Sequence, residues 1–550
     1  MTRMRSLVRL QYLPPFKIIY YTLILANLFK SLKRSKLKPR IMNQKKSEKW
    51  LLKQTKAEAT SCFIVGALEN HSTLEDFADY NHVVWFIEEE RLPKESTLYQ
   101  NVYPMTLESI DKSKVDEIIQ TLSNENMIYT PDIFCTEHIL ENYTTSYDFI
   151  IKKIQIFTSN KRIGLNTHMF HGYISQKNII PNIPNFIKHK VCDSFENSYQ
   201  GLPAAIIGAG PSLNVTIKLL KKYHEKMIIF CTDSAATTLY DEGITPDAIL
   251  TVDVTKTPEK YFNSSQRVNS LFLSLKSPLV WNNFESSKIH FLSGSNLADT
   301  FLHSNGIKQT KCKIVGNCGV TALNLSIFLG CSPIILFGMD HAADESGNLW
   351  TGKKNDMHTS LAKKSKDNSA AWTTVEGNYS KAIKSYSAHE LEVFHQIASS
   401  TSPDQEIWNI NDRGAKVKNT KLIHPDEFSF DSKNLSKEKS INLKADSFDP
   451  KTVKKLWNGI GKSLKKNKST IKKLKNCKSL DDNELCMYLA LLFKDKNIFN
   501  LCGNFSLKVS PMIVKWDELP QGIKDQICLE TEEILDSIQS LHSSLMALNI

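Results

Sequence analysis

A short apolar strand that stops at a glycine-rich turn and continues as a helix constrains this chain more than any other feature. The segment spans residues 204–214 and has the sequence Ala-Ala-Ile-Ile-Gly-Ala-Gly-Pro-Ser-Leu-Asn. Gly208 and Gly210 allow a sharp turn and a close approach of the backbone to another group. Pro211 suits the first turn of a helix, and Ser212 is a residue type that bonds the amides exposed there.

Such a strand–turn–helix directs unpaired N–H groups and a partial positive charge toward one place, which favours the binding of phosphate. A dinucleotide-binding fingerprint would need a third glycine at position 213, where this chain has leucine. The loop therefore predicts a nucleotide-phosphate site that differs from an ordinary NAD site. Its four candidate binding residues are Gly208, Gly210, Pro211 and Ser212.

The chain after Leu202 alternates between short apolar runs and helical segments, which indicates a mainly parallel sheet covered on both faces. The predicted strands are Ala204–Gly208, Met227–Cys231, Ala248–Val252, Ser270–Leu275, Lys288–Leu292, Lys311–Val315, Ile334–Phe337 and Ile407–Ile410. The fold class predicted is α/β, with a Rossmann-like, mainly parallel sheet in the central domain. A smaller N-terminal α/β domain and an α-helical C-terminal domain flank it.

Four segments follow from these patterns. Residues 1–41 are predicted as a basic amphipathic extension, 42–180 as the N-terminal α/β domain, 181–428 as the central domain and 429–550 as the helical domain. The run Ile179–Pro184 has the composition of a linker into the central domain. In the helical domain, apolar residues recur at helical spacing opposite lysines. That lysine face is either solvated or a docking surface for a protein partner.

The net charge of +11 lies almost entirely at the N-terminus, because residues 1–41 contain ten Lys and Arg and no Asp or Glu. The rest of the chain is nearly neutral, so no nucleic-acid partner is expected. Within this segment, Phe16–Phe29 is apolar but shorter than the roughly 20 residues that span a bilayer, and no signal-peptide cleavage site follows. Two interpretations stay open: a peripheral membrane-surface anchor, or an upstream start codon with the protein beginning near Met42.

Eleven cysteines are scattered along the chain, and none form a Cys-x-x-Cys motif. An odd number without a disulfide framework in a long chain favours a reducing, cytoplasmic location and no structural zinc.

Three acids follow predicted strands at one edge of the predicted sheet. Asp233, Asp253 and Asp340 each end an apolar run, and ligands of open α/β sheets bind outside the carboxyl ends of the strands. Asp233 follows the phosphate loop by one βα unit, where an acid commonly bonds a ribose hydroxyl. A helix cap or turn explains any one of these acids alone, whereas three at one edge favour a ligand site.

A second glycine-rich loop, residues 316–321, opens another predicted helix. Asn317, Gly319 and Thr321 suit a close approach to a base, sugar or phosphate, although a tight structural turn explains the glycines equally well. Beyond Asp340, a polar loop contributes His341 and His358. Each histidine is either a general base that works near neutral pH or an exposed loop residue.

Taken in order, these motifs resemble the bacterial motility accessory factor glycosyltransferases. The resemblance rests on the first glycine loop, the turn Gly243–Asp247 before Asp253, Thr321-Ala322-Leu323 with Phe337-Gly338-Met339-Asp340, and Asn411–Ala415. It covers about residues 60–425 and is strongest over 180–425. That family shares its central domain with archaeal hydroxymethylpterin pyrophosphokinase-like proteins and is distantly similar to bacterial sialyltransferases that use CMP-activated sugars.

The resemblance implies transfer of a nonulosonic acid, of the pseudaminic, legionaminic or sialic type, from its CMP form to Ser or Thr of flagellin or another surface protein. It implies that Asp340 and His358 are the catalytic residues, and that the CMP-sugar is the donor with no cofactor and no metal required. Residues placed in the nucleotide or sugar pocket, by the resemblance or by their position after a strand, are Asp233, Asp253, Asn317, Gly319 and Thr321.

Two other functions stay open. One is a diphosphokinase that moves pyrophosphate from ATP to a pterin alcohol, which needs Mg²⁺ held by clustered carboxylates. Thr251–Thr255 supplies one acid where such a site needs two or more. The other is a non-catalytic module that binds flagellin or another surface protein through its C-terminal helices.

Overall fold

The computed structural model describes residues 40–41, 61–67, 77, 82–91, 102–107, 132–135, 145–260, 268–283, 288–294, 296–345, 348–351, 373–380, 383–385, 388–431, 441, 443, 449–514 and 516–548. The chain divides into two compact units, Met1–Leu165 and Asn166–Ile550. Each unit is described by itself, and the four predicted segment boundaries stay predictions. Nearly all of the basic extension lies outside the described residues. Within the described part of the chain, no helix combines the length and apolar character that a membrane span requires.

The first unit contains a five-stranded parallel sheet with the order β1-β5-β2-β3-β4. Phe63, Val65, Val84 and Phe86 alternate along two neighbouring strands and share one buried cluster. The strands are β1 (Arg40–Ile41), β2 (Ser61–Val65), β3 (His82–Ile87), β4 (Val102–Thr106) and β5 (Asp132–Cys135).

Helix α1 (Thr145–His189) begins in the first unit and continues into the second. It includes the segment Ile179–Pro184, so the predicted linker is wrong. Each of the two prolines inside the helix costs about 3 kcal/mol. Burial of an Ile or Phe side chain contributes about 1.5–3 kcal/mol, and four such side chains here are fully or almost fully buried: Ile179, Ile180, Ile183 and Phe186. This burial offsets the cost of the prolines.

The second unit is built on an eight-stranded sheet in which every neighbouring pair is parallel. The strand order is β10-β9-β8-β7-β6-β11-β14-β15, which confirms the predicted α/β class. Its strands are β6 (Ala204–Ile207), β7 (Ile228–Thr232), β8 (Ala248–Thr251), β9 (Ser270–Leu273), β10 (Lys288–Phe291), β11 (Ile334–Phe337), β14 (Ile407–Ile410) and β15 (Lys421–Ile423). A separate antiparallel pair is β12 (Thr373–Val375) with β13 (Ile383–Ser385).

Helices cover the sheet and follow it toward the C-terminus. Those between the strands are α2 (Leu213–Tyr223), α3 (Asp233–Asp241), α4 (Leu297–Ser304), α5 (Cys318–Phe328) and α6 (Ala388–Ala398). The C-terminal set is α7 (Pro450–Lys466), α8 (Lys468–Leu474), α9 (Asp482–Phe493), α10 (Lys496–Leu501), α11 (Gly503–Val514) and α12 (Gln521–Leu548).

The sheet is buried on both faces, as its continuous apolar runs predict. Along β6, Ala205 and Ile207 belong to one buried cluster, and Ala204 and Ile206 belong to the other. The first cluster also contains the apolar stripe of α7, including Val453. The C-terminal helices therefore share a core with one face of the sheet.

In the eight-stranded sheet, one predicted strand is wrong and one strand was missed. Lys311–Val315 forms only an isolated bridge between Lys313 and Ser293. The backbone N–H and C=O of Val315 bond the Thr321 side chain rather than a neighbouring strand. Thr321 Oγ1 donates to Val315 O at 2.9 Å and accepts from Val315 N at 3.2 Å. The missed strand, β15, is only three residues long, and its first two residues are exposed.

A buried histidine in β10 makes the fold sensitive to acid. The His290 ring stacks on Phe272 with centroids 4.9 Å apart, and Nε2 has no hydrogen-bond partner among the described residues. Burial, together with the nearby charge of His189, lowers the pKa of His290 to about 4. Because the folded state disfavours the protonated ring, this group stabilises the fold fully above pH 6.5 and loses that contribution as the pH falls toward 4.

We expect His290→Phe, which keeps the ring stack, to reduce the acid sensitivity of stability. Between pH 7 and pH 4.5 the wild-type protein should lose about 2–3 kcal/mol more unfolding free energy than the variant. Urea unfolding at both pH values measures this difference. Equal losses in the two proteins would show that His290 is not a source of the acid sensitivity.

Candidate functional site

A cavity of about 370 Å³ opens at the carboxyl ends of β6, β7, β8 and β11. This volume lies in the range of about 300–1,000 Å³ typical of small-molecule sites. The chain order of the strands reverses between β6 and β11, the place where open α/β sheets bind ligands. The lining residues are Gly208–Gly210, Thr232–Ser234, Val252, Asp253, Lys256, Gly316–Gly319, Gly338–Ala342, Leu349 and Trp350.

Most of the sequence-predicted residues meet at this cavity. Those that line it are Gly208, Gly210, Asp233, Asp253, Asn317, Gly319 and Asp340. Pro211, Ser212 and Thr321 are also described by the structure and do not line it. His358 lies outside the described residues, so its predicted catalytic role stays a prediction.

The glycines of the first loop allow its backbone to lie close to the backbone of residues 337–338. Gly208 N donates to Phe337 O at 2.8 Å, and Gly210 N donates to Gly338 O at 2.8 Å. A Cβ added at Gly208 would lie 2.5 Å from Gly338 O, and one added at Gly210 would lie 2.6 Å from Asp340 Oδ2. No side chain fits at either position, because real Cβ contacts are never this short.

Asp340 occupies the N-terminus of helix α2, where the sequence predicts phosphate. Its Oδ2 accepts from Ser212 N at 2.7 Å, and its Oδ1 accepts from Ser212 Oγ and from Asn411 Nδ2, the latter at 2.7 Å. Ser212 therefore bonds a carboxylate rather than capping its own helix. The expectation that amides behind Pro211 cradle a phosphate is corrected, because the protein supplies the anion there itself.

The Asp340 side chain is deeply buried, with 2% of the residue exposed. Burial raises the pKa of Asp340 above its ordinary value, and the hydrogen bonds from Ser212 and Asn411 oppose this rise. With both oxygens engaged, this carboxylate has the geometry of a group that positions the loop. Its hydrogen bonds connect the segments that follow three strands: Ser212 after β6, Asp340 after β11 and Asn411 after β14.

Asp233 and Lys256, which both line the cavity, form a buried ion pair. Lys256 Nζ lies 2.7 Å from Asp233 Oδ1 and 2.7 Å from Ser234 Oγ, and the Asp233 side chain has no exposed surface. The Asp233 Oδ2 accepts a weak hydrogen bond from Cys318 Sγ at 3.8 Å. Sequence reasoning missed Lys256, although a lysine three residues after Asp253, in the same loop, was the available signal.

Asp253 follows β8 and lines the cavity. Its Oδ1 accepts from Thr255 N at 2.8 Å and from Thr255 Oγ1 at 3.0 Å. These bonds fix the side chain in a turn of its own loop. Among the described contacts, Oδ2 has no donor, so it is available to accept a proton or a hydrogen bond from a ligand.

The second glycine loop places the N-terminus of α5 at the cavity. Asn317 Oδ1 accepts from Val320 N at 3.1 Å and so caps the helix. A Cβ added at Gly319 would lie 2.6 Å from Met339 Cε, so a larger residue there would require the Met339 side chain to move. Thr321 points its hydroxyl at Val315 and is fully buried, which makes it a structural residue.

His341 follows Asp340 with a left-handed backbone, at a φ of +49°, a conformation that costs a non-glycine residue energy. Its ring lies against Phe394, with centroids 5.2 Å apart, and it lines the cavity. Burial, with the charge of His395, lowers the pKa of His341 to about 4. The imidazole is therefore neutral at physiological pH.

The central part of the chain matches a known family model. Residues 177–346 match 6-hydroxymethylpterin diphosphokinase MptE-like proteins. This range contains every cavity-lining residue except Leu349 and Trp350. No curated protein matches the chain.

A solved structure is similar over nearly the whole chain. It is the Maf glycosyltransferase from Magnetospirillum magneticum AMB-1, with a TM-score of 0.50 and 14% sequence identity, covering 90% of this chain and 80% of that chain. An identity this low shows a shared fold and leaves the activity to be argued from the site. The resemblance that the motifs indicate is thereby confirmed: residues 177–346 match the MptE-like family, and the chain has the fold of a Maf glycosyltransferase.

Proposed function

We propose that this protein is a glycosyltransferase that moves a nonulosonic acid from a CMP-activated donor to Ser or Thr of flagellin or another surface protein. The observation that carries the proposal is the cavity at the strand-order reversal, lined by carboxylates and by the N-termini of α3 and α5. The fold shared with a Maf glycosyltransferase supports it. The choice of a CMP-nonulosonic acid as donor and of flagellin or another surface protein as acceptor rests on the motif resemblance.

The cavity offers suitable partners for a nucleotide sugar. Carboxylate oxygens of Asp233 and Asp253 accept hydrogen bonds from ribose or sugar hydroxyls. Leu349 and Trp350 also line the cavity and add apolar surface, on which a base can lie. The reaction needs no cofactor in this proposal, and nucleic acid is not a partner.

The chemical step forms one bond and breaks another at the anomeric carbon of the donor. The acceptor hydroxyl oxygen attacks this carbon, and CMP leaves from the opposite face with the electron pair of the carbon–oxygen bond. The hydroxyl proton passes to a general base. Asp253 Oδ2 is our candidate for that base, because Asp340 is engaged on both oxygens. Asp340 then acts as a positioning residue.

The remaining parts of the proposal rest on the sequence. A cytoplasmic location follows from the cysteine pattern, and residues 1–41 provide peripheral membrane contact if they are translated. His358 is retained as a second candidate for the base, on the motif resemblance alone.

A second candidate function is a diphosphokinase that acts on a pterin alcohol. The match of residues 177–346 to the MptE-like family favours it. Such an enzyme needs Mg²⁺ held by several carboxylates. Within the described ranges, no group of three or more His, Cys, Asp or Glu is placed to hold a metal ion. We therefore derive no step through a metal.

Titration of the purified protein separates the two functions. We expect CMP to bind without added metal, and ATP with Mg²⁺ to bind at least about tenfold more weakly, a difference of about 1.4 kcal/mol. Isothermal titration calorimetry measures both affinities. Binding of ATP with Mg²⁺ and no binding of CMP would overturn the transferase. The intact mass of flagellin from cells with and without the gene then tests the acceptor, since transfer adds one or more sugar masses.

A further inference from the structure

Lys256 is the one lysine or arginine among the described residues that line the cavity. Three carboxylates line the same cavity, so an anionic ligand needs compensation by a nearby cation. The Lys256 side chain is only 17% exposed, and its ammonium is held by Asp233 Oδ1 and Ser234 Oγ, each at 2.7 Å. The ion pair keeps the positive charge at the cavity wall, where an ammonium on a flexible stem attracts phosphate as a point charge.

The N-terminus of α5 faces the same cavity. Its third and fourth amides are satisfied by Asn317, because Val320 N donates to Asn317 Oδ1 at 3.1 Å and Thr321 N to Asn317 O at 2.9 Å. The first two amides, of Cys318 and Gly319, have no partner within the helix, and both residues line the cavity. An 11-residue helix also places a partial positive charge at this point.

A third group nearby lacks a partner. Thr232 lines the cavity next to Asp233 and is 7% exposed, and its Oγ1 has no hydrogen-bond partner in the described part of the chain. A buried hydroxyl without a partner costs free energy unless a ligand or water satisfies it. Three independent donors, a cation, a helix N-terminus and a hydroxyl, therefore surround one space.

We infer that Lys256, the first amides of α5 and the Thr232 hydroxyl form the subsite for the phosphate of the bound nucleotide. This inference rests on the proposed function for the identity of the nucleotide, which is CMP. It places the phosphate at the second glycine loop, because Asp340 fills the equivalent place at the first. Lys256 is thus a positioning and specificity residue, which favours nucleotides over nucleosides.

The test compares a nucleotide with its nucleoside. Lys256→Met should weaken CMP binding by about 10- to 100-fold and leave cytidine binding unchanged, and Lys256→Arg should retain most of the CMP affinity. Lys508→Met is the matched control, because Lys508 also forms a buried ion pair, with Glu530, and does not line the cavity. Calorimetry measures the affinities, and circular dichroism confirms that the variants fold.

Each outcome decides the inference. The phosphate subsite would be overturned if Lys256→Met weakened the binding of CMP and of cytidine equally, or if it weakened the binding of neither. If cytidine binds too weakly to measure, the phosphorus NMR resonance of CMP decides: its shift on binding should persist in Lys508→Met and disappear in Lys256→Met. If the wild-type protein binds ATP and ignores CMP, the proposed function fails, and ATP against adenosine then tests Lys256 in the same way.

Discussion

Asp253→Asn should lower the rate of sugar transfer by about 10²- to 10⁴-fold, the usual contribution of a general base. Asparagine keeps an oxygen for Thr255, whose amide and hydroxyl bond Asp253 Oδ1, so the loop conformation is retained. What the substitution removes is the proton acceptor at Oδ2. Intact-mass analysis of flagellin over time, with a CMP-nonulosonic acid as donor, measures the rate.

Asp241→Asn provides the control, since Asp241 ends α3 on the surface, away from the cavity. It should transfer sugar at the wild-type rate. An unchanged rate in Asp253→Asn would contradict our assignment of the base. His358→Ala would then test the remaining candidate from the sequence.

Asp340→Ala should lower the free energy of unfolding by about 3 kcal/mol or more. The substitution leaves three buried donors without an acceptor, namely Ser212 N, Ser212 Oγ and Asn411 Nδ2. Each buried donor that loses its partner costs about 1–3 kcal/mol. Urea unfolding at neutral pH measures the loss.

Asp426→Ala is a suitable control, because the Asp426 side chain is 89% exposed and its removal should change stability by less than about 0.5 kcal/mol. Full stability of Asp340→Ala combined with complete loss of transfer would contradict the positioning role. Asp340 would then be a catalytic residue, as the motif resemblance implies.

The sequence was sufficient to predict the sheet and the edge that carries the site. Apolar runs such as Ile334–Phe337 predict strands that are buried on both faces, and seven of the eight predicted strands in this region are present. Acids placed after such runs, including Asp233 and Asp253, meet at one cavity because the carboxyl ends of parallel strands share one edge.

What the sequence could not predict is which group each residue contacts. Glycine at positions 208 and 210 is equally consistent with a ligand or with another backbone, and the structure shows the backbone of Gly338 and the side chain of Asp340 there. Likewise, Ser212 has the chemistry to bond an amide or a carboxylate. The partner, Asp340, is 128 residues away, and no local pattern records such a contact. The predicted linker at the prolines of α1 is wrong for the same reason, since distant packing outweighs local propensity.

The hydrogen bonds that Ser212 and Asn411 donate to the Asp340 carboxylate have a consequence for how the protein is made. A ribosome releases the chain from its N-terminus, so the loop at Ser212 emerges long before Asp340, and Asn411 follows 71 residues after Asp340. Nascent chains that stop short of Asn411 cannot form the hydrogen bond from Asn411 Nδ2 to Asp340 Oδ1. The contacts of Asp340 are thus completed only after the chain as far as Asn411 has been translated.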